Sequence, residues 1–191
     1  AWAFADQSTV LPAFARELTS SAPLIGLVST IHSGGWLLPQ LVAANYVAHR
    51  ERKKPYIIWP LVVGRPMLLL LAAATLCWAR QSPLIMLLLL YLCQAVLWIC
   101  DGLASVPWFD VLAKVFPGQG RGRYLAVSQV GGGLLAVGAG VIVQRVLNPD
   151  IGLPFPQNYS LLFLLSFLFL LLSLGFLLLL EEPVESAHSE R

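Results

Sequence analysis

Charged residues are scarce in this sequence. Its 191 residues include 12 Lys and Arg and 10 Asp and Glu, so that 12% of the chain is charged, whereas soluble domains carry about 25%. The mean hydropathy is +0.76, and a water-soluble globular enzyme is therefore not expected. A disordered chain is excluded as well, because disorder requires low hydrophobicity and high net charge, and here 58% of the residues are apolar with a net charge of +2.

Cysteine and histidine are also scarce. The three cysteines lie inside apolar runs without a CxxC spacing, which excludes a disulfide framework and a zinc finger. The chain has no Walker sequence, no HExxH and no Ser/His/Asp arrangement. We therefore predict no cofactor, no metal site, no catalytic residue and no enzyme activity. The basic residues are bunched between apolar runs instead of being spread over a face, so no nucleic-acid partner is expected.

Long apolar runs dominate what is present. A helix that crosses about 30 Å of hydrocarbon needs roughly 20 mainly apolar residues. The predicted spans are 1–15, which is partial, 23–48, 56–79, 83–109, 124–144 and 159–180. Only helices fit these runs, because a membrane strand would alternate over about ten residues. We predict an all-α membrane protein, a six-transmembrane-helix bundle whose first helix is truncated, in a fragment that starts within that helix.

The positions of Lys and Arg predict the orientation of the spans. Short links force neighbouring helices to run antiparallel, and short cytoplasmic loops hold the excess of basic residues. Seven basic residues follow the second and fourth spans, whereas three lie on the other face. We therefore expect loops 49–55 and 110–123 to be cytoplasmic. The predicted domains are a transmembrane half, 1–180, and a cytoplasmic linker or tail, 181–191.

An ionisable group at mid-membrane costs about 2.5 to 3.5 kcal/mol on insertion, so each one inside a span needs a partner or a water-filled cavity. Asp6, in a polar cluster with Gln7, and Asp101 are therefore candidates for a substrate or ion cavity. Asp6 either faces a central cavity or bonds locally near the outer surface. Asp101 shares its predicted depth with Arg65, and the two are a candidate intramembrane ion pair. The alternative for Arg65 is that its long stem snorkels to the interface.

Charges at the basic ends of the helices are a candidate cytoplasmic latch. The residues are Asp110, Arg121, Arg123, Arg52 and Lys53. Ion pairs between them would favour one conformation and break in another. The alternative is that the basic residues only set the orientation and that Asp110 is solvated. His32 is open to two interpretations, a group that titrates near neutral pH or a packing residue.

Small residues recur every four positions on the fifth span, which predicts close helix packing. They are Ser128, Gly132, Ala136 and Gly140. Pro39 and Pro107 predict interruptions of the second and fourth spans. The glycines of 118–122 are interpreted as a hinge.

The stretch 110–124, DVLAKVFPGQGRGRY, and the glycine-rich helix after it resemble the turn between helices four and five of the major facilitator superfamily. Six spans with two basic links also resemble the amino-terminal half of such a transporter. The resemblance implies two six-helix halves that rock around a central cavity. It also implies that helices one and four line the cavity, where Asp6, Gln7, Gln94 and Asp101 lie.

The sequence departs from the family pattern in two places. The link after the second span keeps only the basic end of the family motif, residues 50–54, so the motif's own Asp has no counterpart. The fifth span has no proline in 131–140, and the family's antiporter pattern is therefore absent.

The expected function is transport of a small solute across the plasma or inner membrane by alternating access. The chain would act as the amino-terminal half of a secondary transporter. Its expected partners are the lipid bilayer, the solute, with or without a coupling proton or ion, and a missing carboxy-terminal six-helix half. The alternative is a multi-pass protein without transport activity, either a membrane enzyme subunit or a structural or assembly protein.

Overall fold

The computed structural model describes residues 2–47, 50, 52–116, 119–150 and 152–180. Within these ranges the secondary structure is helical and contains no strand. The helices are a 3-10 helix at Trp2–Ala5, α1 at Val10–Leu18, α2 at Ala22–Val47, α3 at Lys54–Gly64, α4 at Pro66–Trp78, α5 at Pro83–Val115, α6 at Gln119–Leu147 and α7 at Gln157–Leu179. The predicted tail, 181–191, lies outside the described residues.

The helices follow the six predicted spans in order, which confirms the all-α membrane fold. The 3-10 helix and α1 form the first span, α3 and α4 together form the third, and the other four spans are single helices. Among the described residues, four segments have both the length and the apolarity to cross a membrane, namely 54–78, 83–115, 120–147 and 157–179. Helix α2 has 26 residues and no charged side chain, but Ser, Thr, His and Gln residues interrupt its apolar character.

The third span is broken at Arg65, which the sequence analysis did not predict. Pro66 begins α4 and has no N–H to donate to the turn before it. Arg65 keeps helical dihedral angles, φ −62° and ψ −38°, so the two segments continue as one span. The expected interruptions at Pro39 and Pro107 were wrong, because α2 and α5 run through both prolines without a break.

Helix α5 is longer than the membrane requires. Its 33 residues extend over about 50 Å, compared with about 30 Å of hydrocarbon. Its basic end therefore extends beyond the hydrocarbon core. The glycine hinge expected at 118–122 was wrong for the described part, since Gly120 and Gly122 lie in the first turns of α6.

Helix α5 is also the centre of the bundle, with α2, α3 and α4 packed against it. Glycines allow these helices to approach closely. A Cβ added to Gly102 would lie 2.5 Å from the carbonyl oxygen of Trp36 on α2, and one added to Gly64 would lie 2.8 Å from the Cβ of Cys100. A Cβ at Gly35 would lie 3.0 Å from that of Trp98.

Two hydrogen bonds from side-chain hydroxyls to backbone carbonyls also join neighbouring helices. The Tyr91 hydroxyl on α5 donates to the carbonyl of Leu24 on α2 at 2.7 Å. The Ser160 hydroxyl on α7 donates to the carbonyl of Ala72 on α4 at 2.9 Å. These bonds satisfy polar groups that the membrane interior cannot solvate.

Helix α6 is the least enclosed element. It packs against the 3-10 helix and α7, and none of its described side chains is buried. Within the described chain nothing lies within 4 Å of a Cβ added to Gly132 or Gly140. The small-residue stripe therefore lies on open surface here, and the close approaches of the bundle occur at Gly35, Gly64 and Gly102 instead.

Candidate functional site

A cavity of about 540 Å³ lies between α2, α3, α5 and α7. Its walls are largely apolar and aromatic, with Trp36, Trp108 and Phe176 among them. Two ionisable residues, Arg65 and Asp101, also line it. Volumes of 300 to 1,000 Å³ are typical of small-molecule pockets, so the cavity has the size of a solute site.

Arg65 and Asp101 lie at similar distances along their helices from the basic end of the bundle. Asp101 lies nine residues before Asp110 on α5, or about 13 Å along the helix axis. Arg65 lies eleven residues after Lys54, or about 16 Å. The two distances are similar, and both residues line the same cavity.

The contacts of Arg65 differ from a direct ion pair. Its guanidinium donates a hydrogen bond to the carbonyl oxygen of Leu170 on α7, and its side chain is only 8% exposed. Asp101 is near enough to interact with it electrostatically. The two charges thus share one cavity wall, while the hydrogen bond of Arg65 holds α7 against the break in the third span.

Polar residues form a stripe along α5 that leads to this cavity. Gln94, Trp98, Asp101 and Ser105 are spaced by three or four residues and therefore share one helical face. Helix α2 has a matching stripe of Ser29, His32, Trp36 and Gln40. The two stripes meet, because Trp36 lines the cavity together with Asp101 and Ser105.

An aromatic cluster lies next to the cavity on these stripes. The ring of Trp98 stacks on Trp2 with centroids 4.7 Å apart and meets the His32 ring edge-on at 4.0 Å. Its indole Nε1 donates to the Gln94 Oε1 at 2.8 Å. Gln94 is only 2% exposed, so the structure places this candidate cavity residue inside the packing, one helical turn from Trp98.

Asp6 and Gln7 lie in a turn that divides the first span. The Asp6 carboxylate accepts hydrogen bonds from the Ser8 amide and the Thr9 hydroxyl, both at 2.9 Å, which is the local bonding that the sequence left as an alternative. Asp6 also interacts electrostatically with His32. The Gln7 Oε1 is buried without a hydrogen-bond partner among the described residues, and the turn therefore offers one polar atom to a bound molecule.

The basic end of the bundle contains the predicted latch residues. The Lys53 Nζ lies 2.5 Å from the Asp110 Oδ2, joining the start of α3 to the last turns of α5. Arg121 donates to the carbonyl of Ala113 at 3.4 Å. Arg52 and Arg123 are exposed. The structure thus brings Lys53 and Asp110 together and leaves the other predicted members outside that ion pair.

The sequence analysis missed the contacts that Lys54 makes. Its Nζ donates to the carbonyl oxygens of Leu178 and Leu180, at 2.8 and 2.6 Å. These oxygens belong to the end of α7, where carbonyls lack helical partners and a cation is favoured. A basic residue at the start of a span was visible in the sequence, but the helix end that it caps is more than 120 positions away.

No group of three or more His, Cys, Asp and Glu side chains in the described ranges is arranged to hold a metal ion. The cavity presents one guanidinium, one carboxylate and several aromatic rings to a bound molecule.

Comparison with known proteins agrees with this arrangement. The family model of the Major Facilitator Superfamily matches residues 2–191, and the match includes all six spans. Neither the curated proteins nor the solved structures contain a match to the chain.

Proposed function

Since the chain belongs to the major facilitator superfamily, we propose that it forms the amino-terminal half of a secondary transporter that moves a small solute by alternating access. The family contains transporters, and the helices described here are those of a multi-pass membrane protein. The non-transport roles considered above have no support from the cavity or its surroundings.

The cavity that contains Arg65 and Asp101 carries the proposal. Ionisable side chains at mid-membrane are costly and commonly mark a substrate or ion pathway. A structural ion pair alone would not require an open volume of about 540 Å³ beside the charges. We assign the cavity to the solute, and we assign Asp101 and the orphaned Gln7 Oε1 to polar recognition along the same pathway.

The two polar stripes support a path that continues beyond the cavity. From the cavity it follows Trp98 and His32 to the turn at Asp6. At the other end it reaches the basic face, where Lys53 and Asp110 would act as the latch. In this proposal the salt bridge stabilises one orientation of the bundle and separates in the other.

The exposed face of α6 supports the proposal of a second six-helix half. Its small residues are suited to close contact with another membrane helix, and no described side chain of α6 is buried. The excess of basic residues in loops 49–55 and 110–123 supports a cytoplasmic location for those loops, in the plasma or inner membrane.

Cysteine accessibility tests the proposal without knowledge of the solute. Ser173 lines the cavity, whereas Leu172, its neighbour on α7, lies on the outer surface of the same helix. In the full-length protein with Cys77→Ser, Cys93→Ala and Cys100→Ala, we expect Ser173→Cys in sealed vesicles to react with a membrane-impermeant maleimide applied to either face. We expect Leu172→Cys to react from neither, because it faces lipid.

Alternating access requires that a reagent can reach the same residue from each face of the membrane, in different conformations of the protein. Labelling of Ser173→Cys from one face alone, under every condition tried, would argue for a fixed pocket and hence for a structural or assembly role. Labelling of Leu172→Cys at the same rate as Ser173→Cys would show that α7 is not oriented as described.

A further inference from the structure

An apolar furrow runs along the outer side of α2, separate from the solute cavity. At the basic end its walls include Tyr46, Tyr56 and Trp59, and its volume is about 490 Å³. A second stretch of about 500 Å³ includes Ile31, Gly34 and Ala95. Val42 and Leu103 line both stretches, so the two are consecutive parts of one furrow.

The furrow is longer than one leaflet of the hydrocarbon core is thick, so it can hold the full length of an acyl chain. From Tyr46 to Ile31 it follows fifteen residues of α2, which is about 22 Å, compared with about 15 Å for half of the hydrocarbon core. Glycine at position 34 leaves its floor open, since nothing lies within 4 Å of a Cβ added there.

Basic and aromatic side chains surround the mouth of the furrow. The Arg50 guanidinium lies 5.1 Å from the ring centre of Tyr46 and 5.9 Å from that of Tyr56, and these cation–π contacts hold it above the apolar walls. Arg52, two positions further along the chain, is exposed. Trp59 is 70% exposed, as is common for aromatic residues at the level of the lipid headgroups.

We propose that this furrow is a binding site for an anionic phospholipid. The phosphate lies between Arg50 and Arg52, and one acyl chain occupies the furrow from Trp59 towards Ile31. The charge of the rim favours an anionic headgroup over an uncharged occupant, and basic pockets between membrane helices are known to take such headgroups. This site is independent of the solute cavity, because Arg65 and Asp101 do not line it.

Quenching of Trp59 fluorescence by brominated lipids tests the proposal. The full-length protein is reconstituted in phosphatidylcholine vesicles with increasing amounts of phosphatidylglycerol brominated on its acyl chains, or of brominated phosphatidylcholine. The Trp59 signal is the difference between the native protein and its Trp59→Phe variant. We expect brominated phosphatidylglycerol to quench this signal at a lower mole fraction than brominated phosphatidylcholine.

Loss of the rim charges should weaken that preference. Each arginine near the membrane surface contributes about a fivefold increase in affinity for anionic lipid. We expect Arg50→Gln to raise the mole fraction for half-maximal quenching by about fivefold, and the Arg50→Gln, Arg52→Gln pair by about 25-fold. The Arg121→Gln, Arg123→Gln pair removes the same charge from the same end of the molecule and should leave the quenching curve unchanged.

A third variant tests the acyl site without a change in charge. Gly34→Leu fills the open floor of the furrow and should reduce quenching by brominated phosphatidylglycerol to the level of brominated phosphatidylcholine. Equal quenching by both lipids in the native protein would overturn the proposal in favour of ordinary boundary lipid. Absence of quenching by either would overturn it as well, because protein would then cover the furrow. If the Arg121→Gln, Arg123→Gln pair weakened quenching as much as the Arg50→Gln, Arg52→Gln pair does, the lipid preference would come from general surface charge and the proposed site would be overturned.

Discussion

At the scale of single residues, Arg65 shows how a membrane helix accommodates a cation. The residue sits at the break just before Pro66, its stem is buried, and its guanidinium donates to a carbonyl of α7. Asp101 provides a compensating charge on the same cavity wall. Neither group alone would be stable in an apolar environment, because a buried charge without compensation costs several kcal/mol.

The charges of Arg65 and Asp101 should therefore be coupled in stability. We expect Arg65→Leu and Asp101→Leu each to lower the melting temperature of the purified protein in detergent. The double variant should lose less stability than the sum of the two single losses, and the difference is a coupling energy of about 1 to 3 kcal/mol. Arg65→Lys should give an intermediate loss, because an ammonium retains the charge but not the planar donor group. Strict additivity of the two Leu substitutions would contradict the coupling.

The Lys53–Asp110 ion pair should affect conformation more than stability. The Asp110 side chain is 42% exposed, and exposed pairs contribute roughly 0 to 1 kcal/mol. We expect Asp110→Asn to change the free energy of unfolding by less than about 1 kcal/mol and to speed maleimide labelling of Ser173→Cys from the basic face. Asp150→Asn makes the same change at the opposite end of the molecule and serves as the control. If both variants label at the native rate, the pair is not a latch.

The sequence analysis placed Arg65 and Asp101 at a common level along their helices, and both line one cavity, but their bonding partners were not predicted. Counting along each helix placed Arg65 and Asp101 at one level, since the rise per residue is constant. The bond from Arg65 to Leu170 and those from Lys54 to α7 depend on how each helix is rotated about its axis. That rotation is set by packing between distant parts of the chain, and the nearly uniform apolarity of these spans gives little information about it.

At the scale of elements, the prolines show what local sequence leaves open. Pro39 and Pro107 lie within continuous helices, whereas Pro66 coincides with a break. All three lack an N–H, so the difference comes from their surroundings. At Pro66 a carbonyl of the facing helix holds the side chain of the preceding residue, and no pattern within the third span indicates that contact.

The crossing of α2 and α5 should depend on the absence of a side chain at Gly102. A Cβ there would lie 2.5 Å from the Trp36 carbonyl oxygen, so one of the two backbones must move. We expect Gly102→Ala to destabilise the protein by about 1 to 3 kcal/mol, as overpacking does elsewhere, measured as a lower melting temperature in detergent. Gly26→Ala, on α2 with open space around it, should be neutral or slightly stabilising because alanine favours helix. Equal effects of the two substitutions would contradict the close crossing.

At the scale of the whole molecule, α6 is held differently from the rest. Its contacts are with the 3-10 helix and α7, while α5 joins α2, α3 and α4 in the core. The predicted order of spans was confirmed because length and apolarity alone define a membrane helix. The sparse contacts of α6 with the rest of the bundle were not predicted. Its small-residue stripe indicates close packing against a helix but does not indicate which helix.

This difference should be visible in distances between spin labels. We expect labels at Val137 on α6 and Leu88 on α5 to give a broad distance distribution in the isolated 191-residue chain, because, among the described residues, α6 contacts the core only through partly buried side chains near its end, such as Ala139, Val143 and Val146. Labels at Leu38 on α2 and Leu88 should give a narrow one, since α2 and α5 cross closely. Equal widths would show that α6 is fixed as firmly as α2.

In the proposed mechanism the excess length of α5 would let that helix act as a lever. The backbone of α2 comes close at Gly102, and Asp110 lies eight residues further along, on an arm of about 12 Å. A tilt of about ten degrees around Gly102 would displace the Asp110 carboxylate by about 2 Å, enough to carry it out of hydrogen-bonding range of Lys53. A small rotation of α5 would thereby be converted into the gain or loss of the Lys53–Asp110 contact at the surface, as the proposed latch requires.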